Sequence, residues 1–221
     1  MHMANTHQAD ILVVQEPYCY DNEIALFSKL IIFSHKDPAG NPKTSIIMIN
    51  KSINAHQLTQ HTGKNYTTII IKLQTTTMAI ISFYCSPSED ITHPLEELQE
   101  TMKQLKGIHI LVAGDFNAKS QIWHSPVEDP RGYKVIELIN SLNLHSMNTC
   151  TLATYSSSTG ESWVAWQIAI SSPTVYSVRP SMIIRQATTG TSKPYSVPLR
   201  WSSSSVFAKR HNGTTFRSIS S

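Results

Sequence analysis

The sequence predicts an α/β fold in which two packed sheets are covered by helices. Three observations support this prediction: short apolar runs rich in β-branched residues, amphipathic segments among them, and a length of 221 residues, which suits one domain. Apolar runs without polar alternation are typical of strands buried on both faces. Because antiparallel strand pairs are mixed with helical crossovers, a layered α/β sandwich fits the order of the elements.

The strand prediction depends on five short segments rich in Ile, Val or Thr. They are residues 11–14, 45–49, 67–73, 78–84 and 108–113. Residues 162–170 also have the composition of a strand, whereas the polar residues 154–161 are typical of a loop.

Apolar residues at helical spacing predict two helices. The first covers 94–107, with Gly107 as its C-terminal stop. The second covers 133–142, and residues 3–9 have the composition of the end of another helix before the first strand. The inner faces of the two main helices comprise Leu95, Leu98, Met102 and Leu105, and Val135, Leu138, Ile139 and Leu142.

The charge of the chain is divided unevenly along its length. All fifteen acidic residues lie at or before Glu161, where they face eleven Lys and Arg residues and give a net charge of −4. From Ser162 onward there are seven Lys and Arg residues and no acid. Apolar periodicity is lost beyond Ser171, so we expect a folded domain over residues 1–172 and a Ser/Thr/Arg-rich basic tail over 173–221 without a packed core.

Composition also excludes several classes of protein. No run approaches the roughly 18 apolar residues that a membrane span needs. The three cysteines are far apart and lack metal-binding spacing, which indicates reduced thiols and an intracellular protein. The ten histidines lack the i, i+4 pairs of a zinc helix, so a dedicated zinc site is not expected.

Polar side chains follow three of the predicted strands. Glu16 follows the first, Tyr84 ends the fourth, and Asp115 and Asn117 follow the fifth after Gly114. Each of these residues alone is more typical of a turn or a strand end. Together they suit metal-assisted hydrolysis of a phosphodiester. One carboxylate holds Mg²⁺, a second takes a proton from water, and a phenol and an amide donate to phosphate oxygens.

The motifs VVQEPY, SFY followed by Pro, GDFNAKSQIW and DPRGYKVIELINSLNL resemble, in order and spacing, the endonuclease/exonuclease/phosphatase superfamily. Within it, residues 4–172 resemble the apurinic-type endonuclease domain of non-LTR (LINE-like) retrotransposons. The resemblance implies a four-layered α/β sandwich that nicks DNA with Mg²⁺ or Mn²⁺ and exposes a 3′-hydroxyl for reverse transcription. It also implies a nuclear location for a functional copy, and a reverse transcriptase domain in the ancestral polyprotein.

The resemblance assigns a role to each matching residue. Glu16 matches the metal-binding glutamate and Tyr84 the tyrosine that contacts the scissile phosphate. Asp115 matches the aspartate that orients or deprotonates the attacking water, and Asn117 the asparagine that stabilises the phosphate.

Three further residues match positions typical of the retrotransposon branch and are weaker candidates for DNA binding. They are Lys119, Ser120 and Trp123. The alternative for them is a basic and aromatic loop without a catalytic role. His124 stands where the family usually has Gly.

The chain departs from the family pattern in three places. The first strand, which carries a metal-binding Asn, is not found before the helix at 3–9, and Asn5 does not replace it. Ala165 and Gln167 stand where the family has Asp and Thr. No Asp follows Asp129, so the C-terminal Ser-Asp-His with its acid–base pair is missing. These departures predict unpaired sheet edges and a degenerate enzyme with little or no activity.

A shifted reading frame or aberrant splice near residues 165–180 would explain both the missing motif and the acid-free tail. The competing explanation is a genuine basic tail that binds DNA phosphates. Three other functions stay open: a non-catalytic nucleic-acid-binding module, a different phosphodiesterase or phosphatase of the same superfamily, and an unfolded pseudogene product.

Overall fold

The computed structural model describes residues 9–146, except 22, 26, 28, 37–39 and 74–75, together with the backbone of five strands between 155 and 199. In these parts the strands are β1 Ile11–Gln15, β2 Cys19–Tyr20, β3 Glu23–Ile24, β4 Ile31–Ser34, β5 Thr44–Met48, β6 Asn54–Gln57, β7 Tyr66–Lys72, β8 Thr77–Tyr84, β9 His109–Asp115, β10 Tyr155–Ser157, β11 Gly160–Ser162, β12 Gln167–Ile170, β13 Met182–Gln186 and β14 Ser196–Leu199. The described α-helices are α1 Thr92–Gln104 and α2 Pro130–Ser141.

Two five-stranded sheets form the centre of the molecule. The first has the order β14-β13-β1-β5-β4 and the second β12-β9-β8-β7-β6. Neighbours are antiparallel except for two parallel pairs, β1 with β13 and β8 with β9. The connection from β8 to β9 runs through α1, as a parallel pair requires.

The two sheets pack face to face, and both faces of each central strand are buried. Ile11 and Val13 of β1 contact the apolar cluster between the sheets, while Leu12 and Val14 point to a second cluster on the outer face. On the far side of the second sheet, Phe83 of β8 belongs to a third cluster that α1 and α2 cover. The α/β sandwich predicted from sequence is therefore confirmed.

Hydrogen bonds between buried polar side chains join the sheets near the end of β1. Gln15 Nε2 donates to Ser82 Oγ at 3.2 Å, and Ser82 Oγ donates to the carbonyl of Val14 at 3.3 Å. Thr44 and Thr67 are joined through their hydroxyls at 2.8 Å. Such bonds are directional, so they fix β1 of one sheet relative to β8 of the other.

An acidic residue lies at or just before the start of each α-helix. The Asp129 carboxylate accepts from the N–H of Gly132, and Pro130 occupies the first turn, where its missing N–H costs nothing. At the start of α1, Asp90 accepts from the N–H and the hydroxyl of Thr92. Among the described helices, none is long and apolar enough to cross a membrane.

The register of β8 and β9 depends on Gly114. Phe83 lies opposite Gly114, and Tyr84 lies opposite Asp115. A Cβ atom at Gly114 would lie 1.9 Å from the carbonyl oxygen of Phe83. Only glycine therefore allows this close approach of the two strand ends.

The five predicted strands and both main helices are confirmed, with ends shifted by one to three residues. The second helix starts at Pro130 rather than at 133, because Asp129 caps it. Residues 162–170 do contain a strand, β12. Sequence reasoning missed the short strands β2, β3, β4 and β6. Of these, β2, β3 and β6 lack a continuous apolar run, whereas β4 contains the short run Ile31–Phe33.

The C-terminal part differs from the prediction. The loop expected at 154–161 is wrong, because β10 and β11 pair there as a hairpin. The first sheet extends beyond the predicted boundary at residue 172, since β13 and β14 come from the segment assigned to the tail. The prediction of unpaired sheet edges does not hold at β1, because β13 pairs with it. The helix expected at 3–9 falls almost entirely outside the described residues.

Replacing Gly114 with Ala is expected to destabilise the protein by about 3 kcal/mol, because the new methyl group must separate β8 from β9. Gly40→Ala is the matched control, since a Cβ there meets nothing within 4 Å, and we expect a change within about 0.5 kcal/mol. Urea unfolding measures both values. Equal midpoints for the two variants would show that the strands have room for a methyl group.

Candidate active site

Three strand ends bring Glu16, Tyr84 and Asp115 together. Parallel pairing places Tyr84 of β8 opposite Asp115 of β9. Glu16, at the end of β1 in the other sheet, accepts a hydrogen bond from the Tyr84 hydroxyl and interacts electrostatically with Asp115. The site therefore lies at one edge of the sandwich, where the two sheets meet.

Tyr84 is held as a neutral phenol. Burial raises its pKa, and the hydrogen bond to Glu16 and the negative charges of Glu16 and Asp115 raise the pKa further. A phenol that stays protonated donates a hydrogen bond at all physiological pH values. In this geometry the Tyr84 hydroxyl is a donor next to two carboxyl groups.

The carboxyl group of Asp115 is buried, with 1% of the residue exposed. Burial raises the pKa of Asp115 to about 7, and the charge of Glu16 acts in the same direction. The N–H of Asn117, which donates to Asp115 Oδ1 at 2.8 Å, and the charge of Arg131 oppose this rise. An acid with a pKa near 7 is suited to accept and return a proton at neutral pH.

Two of the candidate residues have a left-handed backbone. Glu16 and Asn117 both have φ 47°. Asn tolerates this conformation, but for Glu it costs about 1 kcal/mol, which the surrounding structure must offset. The N–H of Glu16 donates to the carbonyl of Lys43 at 2.9 Å and holds the residue there. Residues strained in this way are concentrated at functional sites.

Asn117 lies beside the end of β8, the strand that carries Tyr84. Its Nδ2 donates to the carbonyl of Cys85 at 3.1 Å, and its side chain is partly exposed. The carboxamide nitrogen carries two N–H groups, so it retains a second donor for a ligand. All four residues singled out from sequence are therefore neighbours at one edge.

Known proteins match this part of the chain. A family model described as endonuclease-reverse transcriptase matches residues 78–178, which include Tyr84, Asp115 and Asn117. The structure is similar to the endonuclease domain of TRAS1, a telomere-specific non-LTR retrotransposon, with 25% identity, a TM-score of 0.69, and coverage of 75% of this chain and 74% of that one.

The chain is similar to endonucleases of the endonuclease/exonuclease/phosphatase superfamily.

Two more distant structures share the fold alone. A 3′ phosphatase, NExo from Neisseria, bound to a product DNA hairpin, has 14% identity and a TM-score of 0.52, with coverage of 88% of this chain and 90% of that one. A humanized D. rerio TDP2 has 11% identity and a TM-score of 0.50, with coverage of 87% and 82%. Among curated proteins, none matches this sequence.

The three weaker DNA-binding candidates differ in their positions. Lys119 is exposed beside the site, whereas Ser120 and Trp123 are buried. Ser120 Oγ donates to Glu128 and accepts from the N–H of Ile122, and Trp123 Nε1 donates to the carbonyl of Ala118 at 3.1 Å. This geometry gives Ser120 and Trp123 a structural role in shaping the loop, and DNA contact stays a prediction for Lys119.

His124 ends this loop with φ 66°, a conformation in which glycine is unstrained. The glycine that the resemblance leads one to expect at this position would therefore have a backbone explanation. His124 stands in that conformation in place of glycine, and no catalytic role is needed to account for the position.

Sequence reasoning missed a set of supporting residues. Lys43 Nζ contacts Glu89 Oε2 at 2.6 Å, and Asn65 Nδ2 donates to the same oxygen at 3.0 Å. Although burial raises the pKa of Glu89, these two hydrogen bonds hold it below its usual value. Asn65 also donates to the carbonyl of Tyr84 and accepts from its N–H. Scattered single residues of this kind leave no pattern in a sequence.

The segment at β13 was also missed. Its parallel register places Gln186 opposite Gln15, directly before Glu16. The carboxyl end of β13 is therefore at the same edge as the candidate site. At the other sheet, Gln167 of β12 lies opposite Ala113, two residues before Asp115.

Enzymes of this superfamily generally use divalent metal ions, and the donors at this edge fit such an ion. In the described residues no group of three His, Cys, Asp or Glu side chains is placed to hold a metal. Glu16 and Asp115 nevertheless form a pair of neighbouring carboxyl groups, and the charge of Glu16 adds to the rise in the pKa of Asp115 that burial causes. Mg²⁺ is often bound by only one or two carboxylates and keeps several water ligands.

Asp115→Asn is expected to stabilise the metal-free protein at pH 8. The pKa of Asp115 rises from 3.8 to about 7 on folding, so its stabilising contribution is full below pH 4 and is lost as pH rises through 7. At about 1.4 kcal/mol per pH unit, the loss amounts to as much as about 4 kcal/mol.

Thermal unfolding in a chelator between pH 4 and 8 measures this difference. Glu137→Gln, which changes an exposed carboxylate of α2, is the control and should follow the wild type. An identical pH slope in Asp115→Asn and wild type would contradict a raised pKa.

Proposed function

We propose that this chain is a DNA endonuclease of the retrotransposon type that cleaves phosphodiesters with Mg²⁺ and works slowly. The proposal depends on one observation: the convergence of Glu16, Tyr84 and Asp115 at the edge where the two sheets meet. The similarity to the TRAS1 endonuclease domain favours DNA as the substrate. We further propose a nuclear place of action and an ancestral polyprotein in which a reverse transcriptase uses the nick.

Each residue has a role that its geometry permits. Glu16 would hold Mg²⁺, which when bound supplies charge that stabilises the developing negative charge on the phosphate. Asp115, with its pKa near 7, takes a proton from the attacking water. The neutral Tyr84 hydroxyl and the second N–H of Asn117 donate to phosphate oxygens.

The slow rate follows from groups that the sequence lacks. No Asp follows Asp129, and His211 is the only histidine after His145, so the family's C-terminal acid–base pair has no counterpart. General acid–base catalysis contributes about 10²–10⁴-fold. Because catalytic groups act as a unit, the loss of one pair removes much of the rate.

Nicking of supercoiled plasmid DNA in Mg²⁺ is the decisive assay. We expect slow nicking that needs Mg²⁺ and falls at least 100-fold in Asp115→Ala and in Glu16→Gln, because these variants remove the base and the metal ligand. Glu137→Gln, an exposed carboxylate on α2, should nick like the wild type.

The result separates the parts of the proposal. Rapid turnover that Asp115→Ala abolishes would contradict the impairment but support the nuclease. Nicking that survives both site variants would come from a contaminant and contradict the proposal.

A non-catalytic nucleic-acid-binding module is the second candidate, favoured by the seven Lys and Arg residues and no acids after residue 161. It predicts DNA binding that weakens steeply with salt and no Mg²⁺-dependent cleavage. Fluorescence anisotropy with labelled DNA across a salt series, run beside the nicking assay, distinguishes the two.

A further inference from the structure

Arg131 joins two loops around the candidate site. From the first turn of α2, its Nη1 donates to the carbonyl of Glu89 at 2.5 Å. Its Nη2 donates to the carbonyls of Cys85 and Phe116, at 3.3 Å and 3.0 Å. One guanidinium group therefore contacts three carbonyls in two separate loops, the one between β8 and α1 and the one after β9.

The contacted carbonyls lie directly beside the residues proposed to act on the phosphate. Cys85 follows Tyr84, and Phe116 lies between Asp115 and Asn117. The carbonyl of Cys85 also accepts from the Asn117 side chain at 3.1 Å. Arg131 therefore holds the peptide groups that set the positions of the tyrosine, the aspartate and the asparagine.

Backbone pairing between the two strand ends stops just before these contacts. Beyond the β8–β9 register, the N–H of Cys85 donates to the carbonyl of Asp115 at 3.1 Å. From there, the bonds between the two chain segments pass through the Asn117 side chain and the guanidinium of Arg131. A planar group with several N–H donors can bind several carbonyls at once, which an ammonium group does less well.

The backbone of Arg131 is itself fixed. Asp129 Oδ1 accepts from the N–H of both Lys119 and Gly132, at 3.1 Å and 2.6 Å. A Cβ atom at Gly132 would lie 2.0 Å from the carbonyl oxygen of Lys119, so the first turn of α2 is in close contact with the loop after β9. The guanidinium therefore extends from a rigid base.

We propose that Arg131 is a positioning residue that holds the ends of β8 and β9 in the geometry needed for phosphodiester cleavage. Its role rests on the proposed function, because the distances it fixes matter only if Tyr84, Asp115 and Asn117 act on one phosphate. Arg131 acts through the backbone of these residues and does not itself touch the substrate.

Two substitutions separate the effect of the hydrogen-bond donors of Arg131 from the effect of its positive charge. Arg131→Gln removes the cation and the fork of donors, and Arg131→Lys keeps the cation but loses the fork. Lys134→Gln is the matched control, because Lys134 is also a cation of α2 but contacts Asp90 and Thr92 at the start of α1, away from the site.

Amide hydrogen exchange tests the proposal without any need for activity. In both Arg131 variants we expect the N–H groups of Cys85 and Asn117 to exchange at least tenfold faster. Without the guanidinium, the two loops that contain these N–H groups are no longer held together. The N–H groups of β5 should keep their wild-type rates, since this strand lies in the other sheet. Lys134→Gln should leave Cys85 and Asn117 unchanged.

Nicking kinetics provide the second measurement. A misplaced catalytic group lowers the rate of the chemical step, so kcat should fall about 10–100-fold in both Arg131 variants while KM for DNA changes less than threefold. Lys134→Gln should match the wild type in both constants.

The outcomes are distinct. Unchanged exchange at Cys85 and Asn117 in the Arg131 variants overturns the proposal, and so does faster exchange spread evenly through both sheets, which indicates only lost global stability. If Arg131→Gln does not fold, Arg131→Lys alone decides, and wild-type exchange in that variant overturns the proposal. If the wild type itself fails to nick DNA, the proposed function fails, and hydrogen exchange still decides whether Arg131 holds the two strand ends.

Discussion

The parallel pairing of β8 with β9 is the constraint on which the candidate site depends. It sets Tyr84 against Asp115, and it exists in this register because Gly114 leaves room for the carbonyl of Phe83. The buried hydrogen bonds from Gln15 through Ser82 then tie the other sheet, and with it Glu16, to the same strand. A short chain of local contacts therefore converts three distant sequence segments into one site.

The site also shows a conflict between stability and function. A carboxyl group with 1% exposure next to a second carboxylate is costly to ionise, and Glu16 with φ 47° adds backbone strain. Around it, Lys43, Asn65 and Glu89 form a hydrogen-bonded group that satisfies the nearby backbone. The hydrophobic packing of the sandwich offsets the free energy that this edge costs.

The sequence predicted the central strands and helices well because long apolar runs and helical spacing are local properties. It also identified Glu16, Tyr84, Asp115 and Asn117 as a group, since the motifs around them are specific as a set. It missed β2, β3, β4 and β6, which are short and half-exposed, and β13, whose place depends on pairing with a strand far away in the chain. The burial of Ser120 and Trp123 and the contacts of Arg131 arise from tertiary packing, which residue spacing does not encode.

The position of β13 has a consequence for how the protein is made. β1 is the first described strand, yet one of its two neighbours, Met182–Gln186, is synthesised only after every strand from β2 to β12. While the ribosome is still translating the middle of the chain, one side of β1 has exposed N–H and C=O groups that can pair with other chains. The first sheet is therefore completed late, and we expect nascent or shortened chains to depend on chaperones to avoid aggregation.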